Sequence, residues 1–422
     1  MRNFPFTGGE PKDRGEGVFL RPGHSGSQEV MRGYQEEELS ELGAFYRTSL
    51  LEDTLPFWLP RALDTTHGGY LTMRERDGAL LDDDKPVWFQ GRFSWLLSTL
   101  HRTVEPRSEW LEGARSGVDF LRDHCFDEDD RMYFLVTREG KPLRKRRYFF
   151  SEAFAVMALA SYGAAAGCGD STEQARQLFR LCLEYIEGRL PTGEAKWTEE
   201  RSTRSLGVPM IFLHVAQQLA ETVGDELAEE VIDEFIGEIR LFVDDDLECV
   251  FEQVGPDGSL SDHVDGRTLN PGHAIEAAWF ILHEAKRRGG DAELTALGCR
   301  MLDYMWKRGW DEEHGGLFYF VDVHGKPVQE YWHDMKFWWP HCEAITATLL
   351  AYQMTGEDRY AEWHRLVHDY AHRTFADGEH GEWFGYVHRD GRISNPAKGN
   401  HFKGPFHLPR MQWYCWRLLR DW

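Results

Sequence analysis

Three histidines, His273, His341 and His407, recur at nearly even intervals in the second half of the chain. Each has a proline shortly before it, at Pro271, Pro340 and Pro405. Proline suits the first turn of a helix, so each histidine is expected at a helix start. Each also has a charged neighbour close by: Glu276 after His273, Glu343 after His341, Arg410 after His407, with Lys403 just ahead of His407. A helix N-terminus disfavours positive charge, so these imidazoles are expected to be neutral near pH 7, as a base must be. Two of them on opposite faces of a substrate could take a proton from a carbon beside a carbonyl and return one to the other face. That inverts the carbon. The enediolate between the two steps needs a cationic or hydrogen-bonding partner, and Arg92 is a candidate. Taken alone, however, His273 and Glu276 read equally well as a hydrogen-bonded pair in a helical core.

The elements that must position these residues follow from an internal repeat. A short aromatic strand followed by a turn ending in glycine appears at Gly68–Gly78, Met132–Gly140, Val250–Gly258, Gly315–Gly325 and Glu382–Gly391. The terminal glycines recur roughly every 60 to 67 residues, with one gap of two periods. A degenerate copy in that gap is expected near Thr192–Trp197. Between the turns, apolar residues recur at helical spacing. The pattern predicts helices near 34–52, 88–104, 107–124, 149–166, 171–189, 206–222, 225–243, 271–288, 291–308, 335–355, 358–375 and 405–420. An open helical stack needs polar end caps. The last helix instead carries Trp413, Tyr414, Trp416 and Leu418. A closed all-α ring, an (α/α)6 barrel with short β-hairpins in its long loops, is therefore expected. Its inner ring should be the helix after each turn glycine. Aligned on those glycines, Arg92, Glu152, His273, His341 and His407 fall at comparable heights and should converge at one end of the central cavity.

Bulk properties narrow the partners. The 422 residues carry 71 acidic and 48 basic side chains, a formal charge of -23. That argues against nucleic acid and anionic membranes, whose phosphates would be repelled. The 16 tryptophans mostly fill a helical core, but they also suit stacking on sugar faces. Trp338, Trp339 and Trp383 are candidates, with one of the adjacent pair expected to point away. The seven cysteines show no paired spacing and read as reduced thiols in a cytoplasmic setting. No apolar run is long enough to span a membrane. Residues 1–30 read as a flexible or surface-packed extension, and 31–422 as a single domain.

Two rival chemistries compete with this one. Three histidines could hold zinc, but none of the three shares a helix, so no metal is expected at this site. The helical spacing of His364, His368 and His372 falls on an outer helix and reads as packing. Many barrels of this kind hydrolyse glycosides with two carboxylates; a site dominated by histidine suits that less well. His214 reads as a core or cavity-wall residue, and His67 and His314 as structural.

Several phrases together resemble the N-acylglucosamine 2-epimerase family, also called renin-binding proteins, nearly end to end. They are Val87-Trp88-Phe89-Gln90-Gly91-Arg92, Phe150-Ser151-Glu152, Asn270-Pro271-Gly272-His273-Ala274-Ile275-Glu276, Trp338-Trp339-Pro340-His341-Cys342-Glu343, Glu382-Trp383-Phe384-Gly385-Tyr386 and Lys403-Gly404-Pro405-Phe406-His407-Leu408-Pro409-Arg410. The resemblance implies an (α/α)6 barrel and metal-free C2 epimerisation of N-acetylglucosamine and N-acetylmannosamine after ring opening. It implies catalytic His273 and His407, supported by Arg92 and by Glu276, the latter orienting His273. Glu152, His341, Glu343, Trp338, Trp383, Lys403 and Arg410 are then expected to bind the sugar. Related members act as mannose, glucose or cellobiose 2-epimerases or as mannose isomerases, and sequence does not separate these outcomes. A glycoside hydrolase or a non-catalytic binding protein ranks lower. Some members respond to ATP, but no glycine-rich phosphate loop is present, so no cofactor is expected. A homodimer is the family expectation.

Overall fold

The computed structural model describes residues 32–145, 148–191 and 199–422. The extension at 1–30 and the degenerate turn at 192–197 lie outside them. In chain order the helices are α1 (Glu36–Thr48), α2 (Leu55–Ala62), α3 (Val87–Thr103), α4 (Ser108–His124), α5 (Phe150–Ala166), α6 (Gly169–Ile186) and α7 (Gly207–Val223). They continue as α8 (Glu226–Arg240), the single turn α9 (Val264–Arg267), α10 (Pro271–Arg287), α11 (Ala292–Gly309), α12 (Trp338–Thr355), α13 (Asp358–Phe375) and α14 (His407–Arg420). All twelve expected helices are present, within a few residues. The first runs further than its pattern implied: a π-helical segment, Ser49–Thr54, carries α1 into α2, which has Pro56 in its first turn and Pro60 inside.

Hydrophobic pattern sorts these helices into two rings. On α4, Trp110, Ala114, Val118 and Leu121 form a single buried stripe, and the remaining face is polar. On α5, by contrast, every residue from Ser151 to Gly163 is buried. A helix apolar on all sides must be surrounded, and α5 belongs to an inner ring. That ring runs α3, α5, α7, α10, α12, α14, each packed on the next. Close approach of α3 and α5 needs Gly91, where a Cβ would lie 2.7 Å from the backbone of Phe154.

The ring closes between its last and first inner helices. Trp413 of α14 meets Trp95 of α3 with ring centroids 5.9 Å apart, and its Nε1 donates to Thr103 Oγ1 at 3.0 Å. The first helix, α1, packs on α14 and completes the outer ring. It also leans on α13. Tyr34, just ahead of α1, and Tyr46 on it hydrogen-bond His364 at 2.6 and 3.0 Å, and Tyr46 also reaches His368 at 2.9 Å. The three histidines of α13 are thus a packing seam. The barrel is an (α/α)6 toroid.

At the end where the inner helices begin, a repeated ion triplet stitches neighbouring hairpins together. Buried Lys85, Lys336 and Lys398 pair with Asp64, Asp311 and Asp377 at 3.0, 2.9 and 3.1 Å. Each aspartate also takes an arginine from an adjoining hairpin: Arg138 at 2.9 Å, Arg389 at 2.7 Å and Arg76 at 2.8 Å. Arg76 belongs to the first hairpin and Asp377 to the last, so the contact that links neighbours elsewhere also closes the circle. Short antiparallel pairs do the same with backbone, as where Lys85-Pro86 meets Leu135-Val136 and Lys336-Phe337 meets Tyr386-Val387. This stitched rim holds the starts of the inner helices, and with them the candidate site. No described helix is long and apolar enough to cross a membrane.

Candidate active site

A cavity of about 450 Å3 opens at the stitched end of the barrel. Of the residues expected there, Arg92, His273, Glu276, Trp338, His407 and Arg410 line it. Both members of the Trp338-Trp339 pair face it, contrary to the expectation that one points away. Gly272 makes this possible: a Cβ there would lie 2.6 Å from the Trp339 indole. Trp339 sits beside both histidines, with centroids 5.1 Å from His273 and 5.7 Å from His407.

Each histidine is clamped at Nδ1 by a carboxylate. His407 Nδ1 donates to Glu343 Oε1 at 2.6 Å, which assigns the proton to that nitrogen and leaves Nε2 as an acceptor. His273 Nδ1 donates to Glu252, with both carboxylate oxygens at 3.0–3.1 Å. Asn270 caps α10 through the backbone N–H of His273. The two environments pull apart. Burial lowers the basicity of His407, and Arg410 and Arg92 add to this against the opposing pull of Glu276. Burial also lowers His273, but Glu252, followed by Glu276 and Glu343, outweighs it and leaves His273 raised. Contrary to the lowering expected from the helix end, His273 is raised above the ordinary imidazole value. The carboxylate from the preceding turn outweighs the helix end.

Glu276 does not orient His273. It accepts from Arg410 Nη2 at 2.5 Å, and the same nitrogen donates to Glu343 Oε2 at 2.7 Å. Trp279 Nε1 also donates to Glu343, at 2.8 Å. The carboxylate of Glu343 is thus fully used in holding His407 and Arg410, and it stands behind the cavity wall, not on it. Ligand atoms of Glu276, Glu343 and His407 lie within 4.8 Å of one another, a spacing a metal ion could use. Here the guanidinium of Arg410 bridges the two carboxylates and offsets one of their two negative charges.

Arg92 has no carboxylate partner among the described residues, and its Nε has no hydrogen-bond partner. Aromatic faces cradle it instead, with Phe154 at 4.0 Å and Phe406 at 4.6 Å. Burial pushes it down to about 9, which leaves it charged at neutral pH. His214, on the cavity wall, has both ring nitrogens unpartnered and is held neutral by burial.

Besides Glu343, four expected residues are absent from the cavity wall. His341 donates from Nδ1 to Phe337 O at 2.6 Å and accepts from Leu317 N at 2.9 Å, tying a hairpin to α12. Burial takes it down to about 3. Glu152 is fully buried and accepts from Arg131 Nε at 2.7 Å and Met132 N at 2.9 Å. Lys403 pairs with Glu382 at 2.8 Å and braces Trp338 from behind. Trp383 stacks on Phe375. His341, Glu152 and Trp383 each tie a loop to a helix, and Lys403 ties one loop to another.

Sequence reasoning missed Glu252. It stands in the aromatic phrase Val250-Phe251-Glu252-Gln253-Val254, where a carboxylate among apolar residues was the available signal. Trp88, Tyr319, Trp332 and Tyr386 complete the mouth of the cavity.

Comparison with known proteins identifies the family and the fold. The profile of the N-acylglucosamine 2-epimerase (GlcNAc 2-epimerase) family matches residues 68–404. The chain is 36% identical over 404 residues to N-acylglucosamine 2-epimerase of Bos taurus, covering 93% of each chain. It is 35% identical to the Homo sapiens N-acylglucosamine 2-epimerase over 379 residues, covering 87% of this chain and 88% of that protein. The solved structure of cellobiose 2-epimerase from Bacillus thermoamylovorans superposes with a TM-score of 0.77 at 22% identity, covering 91% of this chain and all of that one, which shows a shared fold. With its (α/α)6 barrel and paired histidines, the chain belongs to the N-acylglucosamine 2-epimerase family of sugar epimerases.

Proposed function

We propose that this sugar epimerase inverts C2 of a 2-acylamino hexose, interconverting N-acetylglucosamine and N-acetylmannosamine, by proton exchange between His407 and His273. The observation that carries the reading is the pair of imidazoles beside Trp339, each held at Nδ1 by its own carboxylate, with opposite protonation preferences. Neutral His407 suits a base through Nε2, and raised His273 suits an acid. With the sugar in its open-chain form, His407 takes the C2 proton. The C2–H electron pair forms the C1–C2 double bond, and the aldehyde π pair moves to O1. Because C2 carries nitrogen, the intermediate is an enolate; a 2-hydroxy sugar would give the enediolate. Arg92, charged and without a carboxylate partner, is suited to stabilise O1. His273 then protonates C2 on the opposite face. The reverse reaction exchanges the two roles.

The test is C2–H exchange in D2O followed by NMR on N-acetylmannosamine, mannose, glucose and cellobiose. The wild-type protein should exchange and epimerise N-acetylmannosamine at C2. His273→Ala and His407→Ala should each lose exchange by about 100-fold or more while melting as the wild type does. Normal turnover in either variant would sink the two-histidine mechanism. A ketose product would point to proton transfer between C1 and C2.

A further inference from the structure

The cavity has two unlike sides. The arc built by α10, α12 and α14 carries His273, Glu276, His407 and Arg410, whereas the facing arc on α5 and α7 presents Phe154, Met157, Met210 and Ile211. Met157 lies one turn along α5 from Phe154, whose ring is 4.0 Å from the Arg92 guanidinium. Arg92 in turn is 4.6 Å from the ring of Phe406, the residue before His407. The apolar arc therefore begins beside the groups assigned to C1 and C2. Met210 and His214 share one face of α7 a turn apart. His214 stacks flat on Phe280, with centroids 4.3 Å apart. Phe280 is one turn along α10 from Glu276.

This wall suits few parts of a sugar. Two thioethers and a branched alkyl chain offer a hydroxyl at best a weak sulfur acceptor, so a bare hydroxyl pressed there leaves better partners behind in water. An alkyl group gains by the same burial. Among the described residues, the polar side chain at the patch is His214, 6% exposed, with neither ring nitrogen partnered. A neutral imidazole offers one donor and one acceptor. A secondary amide points its N–H and C=O in opposite directions, so one of the two can meet a ring nitrogen of His214.

Resting on the two-histidine reading of this site, we infer that Met157, Met210 and Ile211 form the subsite for the substituent on C2. Its amide meets His214 and its acyl chain packs on the methionines. Met210 then sets the longest acyl chain accepted. Methionine is unbranched and adaptable, so the limit is graded.

The experiment measures kcat/KM for N-acetyl-, N-propanoyl- and N-butanoyl-mannosamine with the wild type, Met210→Ala, Met157→Ala and Met210→Asn. The wild type should fall with each added methylene. Met210→Ala should raise the butanoyl-to-acetyl ratio by about tenfold or more, the scale on which one methylene is discriminated in an apolar pocket. Met210→Asn should lower kcat/KM on the N-acetyl sugar by about tenfold and raise the ratio of mannose to N-acetylmannosamine. Should Met210→Ala lack a cooperative melt, Met157→Ala carries the same expectation. A wild type that takes butanoyl as readily as acetyl overturns the subsite. So do folded variants whose ratios stay within twofold of the wild type. A wild type that exchanges C2 of mannose but of no acylamino sugar overturns the proposed substrate instead, so the two failures are distinguishable.

Discussion

Replacing Glu252 by glutamine removes one negative charge beside His273 and little else. The new side chain keeps an amide oxygen that can accept from His273 Nδ1, so the ring stays oriented, and the backbone carbonyl of residue 252 still accepts from Leu206 N at 3.1 Å. The charge, however, is what offsets burial. His273 is raised because Glu252, at 3.0 Å, outweighs desolvation, with Glu276 and Glu343 adding less. Loss of a carboxylate at this distance lowers a partly buried imidazole by about one to three pH units. On the proposed two-histidine mechanism, the active enzyme is the pair carrying one proton, because one imidazole must donate while the other accepts. The protonated form of His273 is present below its raised pKa and is lost as pH rises through it. The base form of His407 is present above its lowered pKa and is lost as pH falls. Activity is thus a plateau bounded by His407 on the acid side and His273 on the alkaline side. In Glu252→Gln the alkaline limb of kcat/KM should move about one to three pH units lower, while the acid limb stays. Above the new limb, activity drops about tenfold per pH unit. The assay is initial-rate C2 exchange of N-acetylmannosamine across pH in D2O. An alkaline limb that does not move, whatever happens to the plateau height, refutes this account of how His273 is kept protonated.

Two further predictions concern the frame. Asp311→Asn leaves Lys336, which is fully buried, without its counter-charge, and should destabilise the fold by about 3–5 kcal/mol in urea denaturation. Arg389→Ala, which removes the half-exposed partner of the same aspartate, should cost about 1 kcal/mol or less; equal losses would contradict the assignment. On α13, burial pushes His364 down to about 3 and His372 down to about 4, so both are neutral in the native state. Below about pH 6.5 the unfolded chain takes up protons that the native chain refuses. Stability should therefore fall as pH drops from about 6.5 towards 5. His364→Gln should show a shallower fall, and an unchanged slope would count against the seam.

Sequence alone determined the architecture and where to look. The turn glycines set a period, the period demanded a closed ring, and the ring put His273 and His407 at one end of it. Those steps rest on local chemistry: glycine turns, proline at helix starts and apolar faces, all of which act within a few residues. Alignment on a turn glycine, however, fixes a side chain's height only to about one helical turn. A slip of one residue rotates it by roughly 100°. For that reason Arg92, His273 and His407 turned inward, while Glu152 and His341, read at the same height, turned to hairpin backbone. The pairing of charges was equally out of reach. Glu276 shares a helix face with His273, yet it bonds Arg410 from α14, and Glu343 beside His341 bonds His407. Glu252, from the turn before α10, became the partner of His273. Which carboxylate meets which imidazole depends on helices far apart in sequence arriving at one axis. Only the closed barrel decides that, and through it which imidazole is raised and which is lowered.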